Sequence, residues 1–216
     1  MKKYITEFIG TFFLVLTVGL TVIGGAAAPP IAIGSMLMVM IFAGGHISGG
    51  HFNPAVTLAV FLRGKCSATD VPFYMIAQIL AGVVAALTVA FIIPGKVDAL
   101  APAAGFSAQG GPGVGPAMIA EFLGTFALCW VVLNTATSKG TEGNSFYGLA
   151  IGFTVTACAY GLGGISGGAF NPAVATGVSM MGLAAWADIW VFLVGQLLAG
   201  ALAAVAFKAL DSHDAE

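Results

Sequence analysis

"HISGGHFNPAV", residues 46–56, returns almost unchanged as "GISGGAFNPAV" at residues 164–174. In both copies an asparagine, a favoured helix cap, is followed by proline, which is favoured at the first helical position, so each copy starts a helix. Those helices are short. "AVTLAVFL" runs only to Gly64 and "AVATGVSMM" only to Gly182, whereas a bilayer core needs about 20 apolar residues in a helix that crosses it. Each copy therefore reads as a half-helix that enters a membrane and stops.

The rest of the chain supports a membrane setting. Of 216 residues, 59% are hydrophobic and 7% charged, and the mean hydropathy is +1.01, too apolar for a soluble domain. The net charge is -2 and Arg63 is the single arginine, so nothing suggests a nucleic-acid partner. Cys66, Cys129 and Cys158 lack CxxC spacing and read as small apolar fillers rather than a disulfide or zinc framework. His46 and His51 are badly spaced for two ligands on one helical face, and His213 lies in a polar tail, so no metal site and no cofactor is implied.

Apolar runs place six spans at roughly residues 5–27, 31–50, 70–92, 116–137, 146–165 and 185–208. Lys2-Lys3 followed by an apolar stretch and Ala26-Ala27-Ala28 resembles a secretory leader. Against that, "EFIGTFFL" at 7–14 returns as "EFLGTFAL" at 121–128, and "AQILAGV" at 77–83 as "GQLLAGA" at 195–201. The first run is thus a retained span of a duplicated unit. Repeat one covers 1–93, an outer connection 94–115, repeat two 116–208, and a polar cytoplasmic tail 209–216. Three spans per repeat is an odd number, so the copies are inverted. With the amino terminus inside, Lys2, Lys3, Arg63, Lys65, Lys139 and Lys208 all fall on the cytoplasmic side and only Lys96 faces out.

Two half-helices entering from opposite faces bring their amino ends together near the midplane. Irregular backbone such as Ser48-Gly49-Gly50 is tolerated at that depth only when protein buries it or it lines a watery cavity. A cavity is therefore expected, with the amides of Asn53 and Asn171 offering donors to it and His46 and His51 as further candidates for its lining. For a single copy, an Asn-Pro that merely starts a helix would suffice. Two inverted copies in matched context argue for more.

The paired boxes Asn53-Pro54-Ala55 and Asn171-Pro172-Ala173, the "HISGGHFNPAVT" stretch and the contexts of Glu7 and Glu121 resemble the aquaporin and glycerol-facilitator family across nearly the whole chain. That resemblance implies an all-α membrane protein with six transmembrane helices and two re-entrant half-helices, one pore per subunit, and a homotetramer. It also implies that Glu7 and Glu121 brace the half-helix loops. A charge inside a span costs at least about 2.5–3.5 kcal/mol and needs a partner or a proton, so a proton-coupled transporter using Glu7 and Glu121 is the alternative. A second alternative, an intramembrane serine protease, follows from "GISG" around Ser166; such an enzyme needs a histidine base, and the final span carries none.

By alignment on the boxes, the outer filter falls at Ile33, Ala159, Gly168 and Val174. Val174 stands where many relatives have arginine. The change is similar to the plant tonoplast subgroup, although Ile33 takes the place of that subgroup's usual histidine. Small side chains and the lost guanidinium imply a wide, apolar opening, which Tyr160 or Phe106 would narrow by folding in. The expectation is a passive channel in the lipid bilayer for water and small uncharged solutes such as glycerol, urea, ammonia or hydrogen peroxide. It should exclude ions and protons, and it should lie in the inner membrane of a bacterium with both termini cytoplasmic.

Overall fold

The computed structural model describes residues 1–97, 103, 105–107 and 111–211, and these contain eight α-helices and no strand. Parts of the expected outer connection (98–102, 104, 108–110) and of the tail (212–216, with His213) lie outside the described residues. The helices are α1 (Lys2–Ile23), α2 (Pro29–Ser48), α3 (Pro54–Leu62), α4 (Val71–Ile92), α5 (Val114–Val132), α6 (Tyr147–Ser166), α7 (Pro172–Met180) and α8 (Ile189–Leu210). Six are long and apolar enough to cross a membrane. The other two, α3 and α7, have nine residues each, about 13–14 Å of helix against a ~30 Å hydrocarbon core.

One boundary differs from the expected spans for a local reason, and one span changes its helix type near its end. The first apolar run continues to Ala27, but α1 ends at Ile23 because Gly24 and Gly25 follow and Gly25 takes φ +73. Hydropathy counts apolar side chains and is blind to a glycine pair that ends a helix. The fourth span ends at Thr137, as expected, although its last five residues, Leu133–Thr137, form a π-helical turn rather than α-helix. Thr135 and Thr137 each return a hydroxyl hydrogen bond to the carbonyl four residues back, at 2.7 and 2.6 Å, a habit that distorts helices.

Within each repeat α1 packs on α2 and α4, and α5 on α6 and α8, while α2 against α6 joins the halves. The half-helices cross over: α3 packs on α8 and α7 on α4. Lipid tails are as apolar as leucine, so close contact between helices depends on small residues. A Cβ at Gly82 of α4 would sit 2.5 Å from the Ala173 carbonyl oxygen, and one at Gly200 of α8 2.6 Å from that of Ala55. The outward faces carry Leu80, Leu87, Ile119, Phe153 and Leu198 in the open, the reverse of a soluble surface.

At one end of the bundle Asp70, just ahead of α4, accepts hydrogen bonds from Lys3 Nζ (2.6 Å), Tyr4 Oη (2.7 Å) and Ser67 Oγ (2.8 Å). Those three donors hold its carboxyl well below the usual range, at about 2. At the same end Arg63 donates to the Thr137 carbonyl at 3.1 Å and stacks over the Phe207 ring.

Candidate functional site

Between α2 and α3 the chain must reverse within five residues. It does so with Gly49 at φ +91, Gly50 at +65 and Phe52 at +49; between α6 and α7 the matching values are Gly167 +90, Gly168 +66 and Phe170 +49. Phenylalanine in the left-handed region costs about 1–3 kcal/mol and persists only where its surroundings over-determine it. Here they do. Glu7 accepts from Ser48 Oγ (2.7 Å) and His51 N–H (3.0 Å) on one oxygen, and from Phe52 N–H (2.6 Å) and Gln78 Nε2 (2.8 Å) on the other. Glu121 repeats the set with Ser166 Oγ (2.6 Å), Ala169 N–H (3.0 Å), Phe170 N–H (2.8 Å) and Gln196 Nε2 (2.7 Å).

Each phenyl ring also fills the space over a glycine of its long helix, Gly10 for Phe52 and Gly124 for Phe170, where a Cβ would overlap the ring. Both glutamates are fully buried. Four donors fill their lone pairs, as a structural brace requires, and neither is among the residues lining the two cavities described below. Ser166 does line the cavity, but its hydroxyl is committed to Glu121 and accepts from Gly168 N–H at 3.2 Å. That is the same brace that Ser48 forms, not a nucleophile beside a base.

The twisted phenylalanine peptides have a second consequence. Asn53 Nδ2 donates to the Phe170 carbonyl at 2.9 Å, and Asn171 Nδ2 donates to the Phe52 carbonyl at 2.8 Å. The half-helix amino ends are thus clasped reciprocally. Each asparagine oxygen accepts from its own helix, Asn53 from Ala55 N–H (2.8 Å) and Asn171 from Ala173 N–H (2.9 Å). With the oxygen fixed as cap and one amide hydrogen spent on the clasp, one N–H per asparagine is left. Both residues line the cavity described next.

That cavity, about 250 Å³, runs past both asparagines between the two halves. Ile33, Ala159, Gly168 and Val174 all line it, as does His51. Neither Tyr160, which is 58% exposed, nor Phe106 does; the ring found there is Phe192. The cavity shares Ile41, Gly50, His51, Val132 and Ile151 with a larger polar vestibule of about 730 Å³, where His46, Lys65 and Lys139 also lie. His46 is therefore a vestibule residue, whereas His51 stands at the junction.

Beside the shared brace the halves differ. His51 Nδ1 lies 3.1 Å from Thr57 Oγ1, and Gln78 Nε2 donates to that hydroxyl at 2.9 Å. Tyr74 donates to the Ser48 carbonyl at 2.7 Å and sets its ring edge-on to His51. In the second half Ala169, Ala175 and Phe192 stand at the positions of His51, Thr57 and Tyr74. The buried Gln196 Oε1 has no partner among the described residues.

Gln78 and Gln196 were visible as the polar residues of the repeated "AQILAGV" and "GQLLAGA", and a buried carboxylate needs such donors. Phe52 and Phe170 left no signal, since their hydrogen-bonding role belongs to the backbone.

Comparison with known proteins gives a consistent picture. The family model described as Major intrinsic protein matches residues 1–207. Over 99% of this chain and the whole of the relative, it is 36% identical to the Glycerol uptake facilitator protein-like 6 of Lactiplantibacillus plantarum. It is also 36% identical to Aquaporin TIP2-3 of Arabidopsis thaliana, over 96% of this chain and 86% of that one. Among solved structures, the aquaglyceroporin from Plasmodium falciparum superposes with a TM-score of 0.74 at 21% identity, covering 97% of this chain and 96% of the other. At that identity the likeness concerns the fold.

Proposed function

Since the chain belongs to the major intrinsic protein family, whose members are integral membrane channels and not enzymes, we propose that it is a passive, bidirectional pore for water and small uncharged solutes. The observation that carries the reading is the reciprocal clasp of Asn53 and Asn171, which leaves one N–H of each amide for a molecule in the cavity. Both groups are donors, so a passing water or hydroxyl presents its oxygen to them. Two helix amino ends at the same level add positive potential in a low-dielectric setting, which repels cations and protons.

At the proposed outer filter Ile33, Ala159, Gly168 and Val174 contribute no side-chain charge, hydroxyl or amide. Such an opening suits neutral solutes of the size of glycerol, urea, ammonia or hydrogen peroxide, in keeping with the names of a glycerol facilitator and a tonoplast-type aquaporin among the relatives. Lys65 and Lys139 at the polar vestibule favour that end as cytoplasmic, with both termini inside, in a bacterial inner membrane. A homotetramer completes the proposal. The exposed apolar helix faces supply surface for both partner subunits and lipid.

Stopped-flow light scattering on proteoliposomes tests the reading. The wild-type chain should shrink vesicles in an impermeant osmolyte faster than lipid alone and let them re-swell in glycerol or urea. Asn171→Leu should abolish water flow. A folded Asn171→Leu protein that conducts water at the wild-type rate would remove the asparagines from the mechanism.

A further inference from the structure

We infer that the second half binds one buried water molecule between the Gln196 amide and the Asn171 carbonyl, in the position that the Thr57 hydroxyl takes in the first half. The inference does not depend on what the pore passes.

In the first half that hydroxyl is the hub of a closed network. It donates to the Asn53 carbonyl at 3.0 Å and accepts from Gln78 Nε2 at 2.9 Å, with His51 Nδ1 at 3.1 Å and Gln78 Oε1 at 3.4 Å beside it. Gln78 thereby spends one amide hydrogen on Glu7 and the other on Thr57. Gln196 matches only the first of these bonds, at 2.7 Å to Glu121. Ala175 stands at the place of Thr57 and Ala169 at that of His51, so neither side chain supplies a polar atom. Gln196 is 0% exposed, and its Oε1 has no partner among the described residues. A buried amide in that condition carries the full cost of its lost hydration. The Thr11 and Thr125 hydroxyls also lack partners, but they are mirror positions and alike in both halves. The glutamine oxygen is orphaned in one half only.

The mirror relation supplies both room and partners for a water. Phe52 and Phe170 share a φ of +49, the asparagine clasps measure 2.9 and 2.8 Å, and the glutamine–glutamate bonds 2.8 and 2.7 Å. The frame has therefore not closed in on the smaller residues. Alanine in place of threonine and alanine in place of histidine together give up more than the roughly 30 Å³ of one water. A water at this place accepts the second N–H of Gln196 and donates its hydrogens to Gln196 Oε1 and to the Asn171 carbonyl. That carbonyl already accepts from Ala175 N–H at 2.8 Å and keeps a lone pair for the water. About three hydrogen bonds are usual for a buried water. Ala169 lines the cavity, which gives the water its way in from the pore.

The test uses the full chain, purified in detergent. A crystal structure that resolves ordered waters should show one peak about 3 Å from Gln196 Oε1 and from the Asn171 carbonyl oxygen. No peak there, or side chains closed over the place, overturns the inference. Thermal unfolding checks it independently with two substitutions of one shape, Ala175→Thr and Ala175→Val. Threonine puts a hydroxyl on the water's position and releases the water, so the unfolding temperature should rise by about 1–6 °C. Valine expels the water and offers no hydrogen bond in exchange, so the temperature should fall by about 2 °C or more. A valine variant at least as stable as the wild type means a dry site, and equal falls for both variants mean that neither side chain fits. Each of those results overturns the inference.

Discussion

Glu7 with Ser48, Gln78 and the backbone of residues 51–52, and Glu121 with Ser166, Gln196 and the backbone of residues 169–170, form braces with matching partners at similar distances. Beside them the first half has His51 against the Thr57 hydroxyl and Tyr74 bonded to the Ser48 carbonyl, and the second has Ala169, Ala175 and Phe192, whose side chains can make no such bonds. The parts that hold a strained backbone are duplicated, because losing one leaves several buried donors unpaired. The residues beside the brace differ between the halves, and with them the cavity wall, which His51 lines in one half and Ala169 and Phe192 in the other. One inverted repeat thus supplies a symmetric frame for an asymmetric passage, polar towards the vestibule and hydrocarbon towards the other mouth.

Removing a brace should have the largest effect and should be equal in the two halves. Glu7→Ala or Glu121→Ala strands four buried donors, each costing about 1–3 kcal/mol. Either variant should lose the folded, conducting protein, as read by thermal unfolding in detergent and by vesicle shrinkage. If one half tolerates the loss and the other does not, the two braces are not equivalent.

The next step down crowds the phenylalanine turns without touching a hydrogen bond. A Cβ at Gly10 or Gly124 overlaps the Phe52 or Phe170 ring. Gly10→Ala and Gly124→Ala should each cost about 1–3 kcal/mol, the usual penalty of overpacking. Matching falls in unfolding temperature for the pair would sharpen the equivalence; a neutral Gly124→Ala would show that the second turn relaxes.

The smallest expected effects lie where the halves differ. Thr57→Ala removes the hydroxyl shared by His51 and Gln78 and should destabilise by about 1 kcal/mol. The mirror change, Ala175→Thr, offers Gln196 Oε1 the partner it lacks and should stabilise by about 0.5–1.5 kcal/mol. Opposite signs in the two melting curves are the expected outcome. A destabilised Ala175→Thr would mean that the second half has repacked around alanine and has no room for a hydroxyl.

The sequence by itself determined the frame. Hydropathy located six spans, the Asn-Pro starts and glycine stops located two half-helices, and the internal repeat with an odd number of spans made the halves inverted. These are local signals, each written within about 20 residues of chain. The buried glutamates were also legible as groups in need of partners, but the repeats containing Gln78 and Gln196 were read only as a sign of duplication.

Tertiary structure decided the rest, for two physical reasons. The reciprocal bonds of Asn53 to the Phe170 carbonyl and of Asn171 to the Phe52 carbonyl join residues more than a hundred positions apart, and they depend on backbone angles that no side-chain pattern announces. The wall facing the pore depends on how each helix is rotated about its axis. A helix that is apolar on every side gives no periodicity from which to read that rotation. Tyr160, next to Ala159 in the chain, consequently points away from the cavity, and Phe192, far along on α8, faces it.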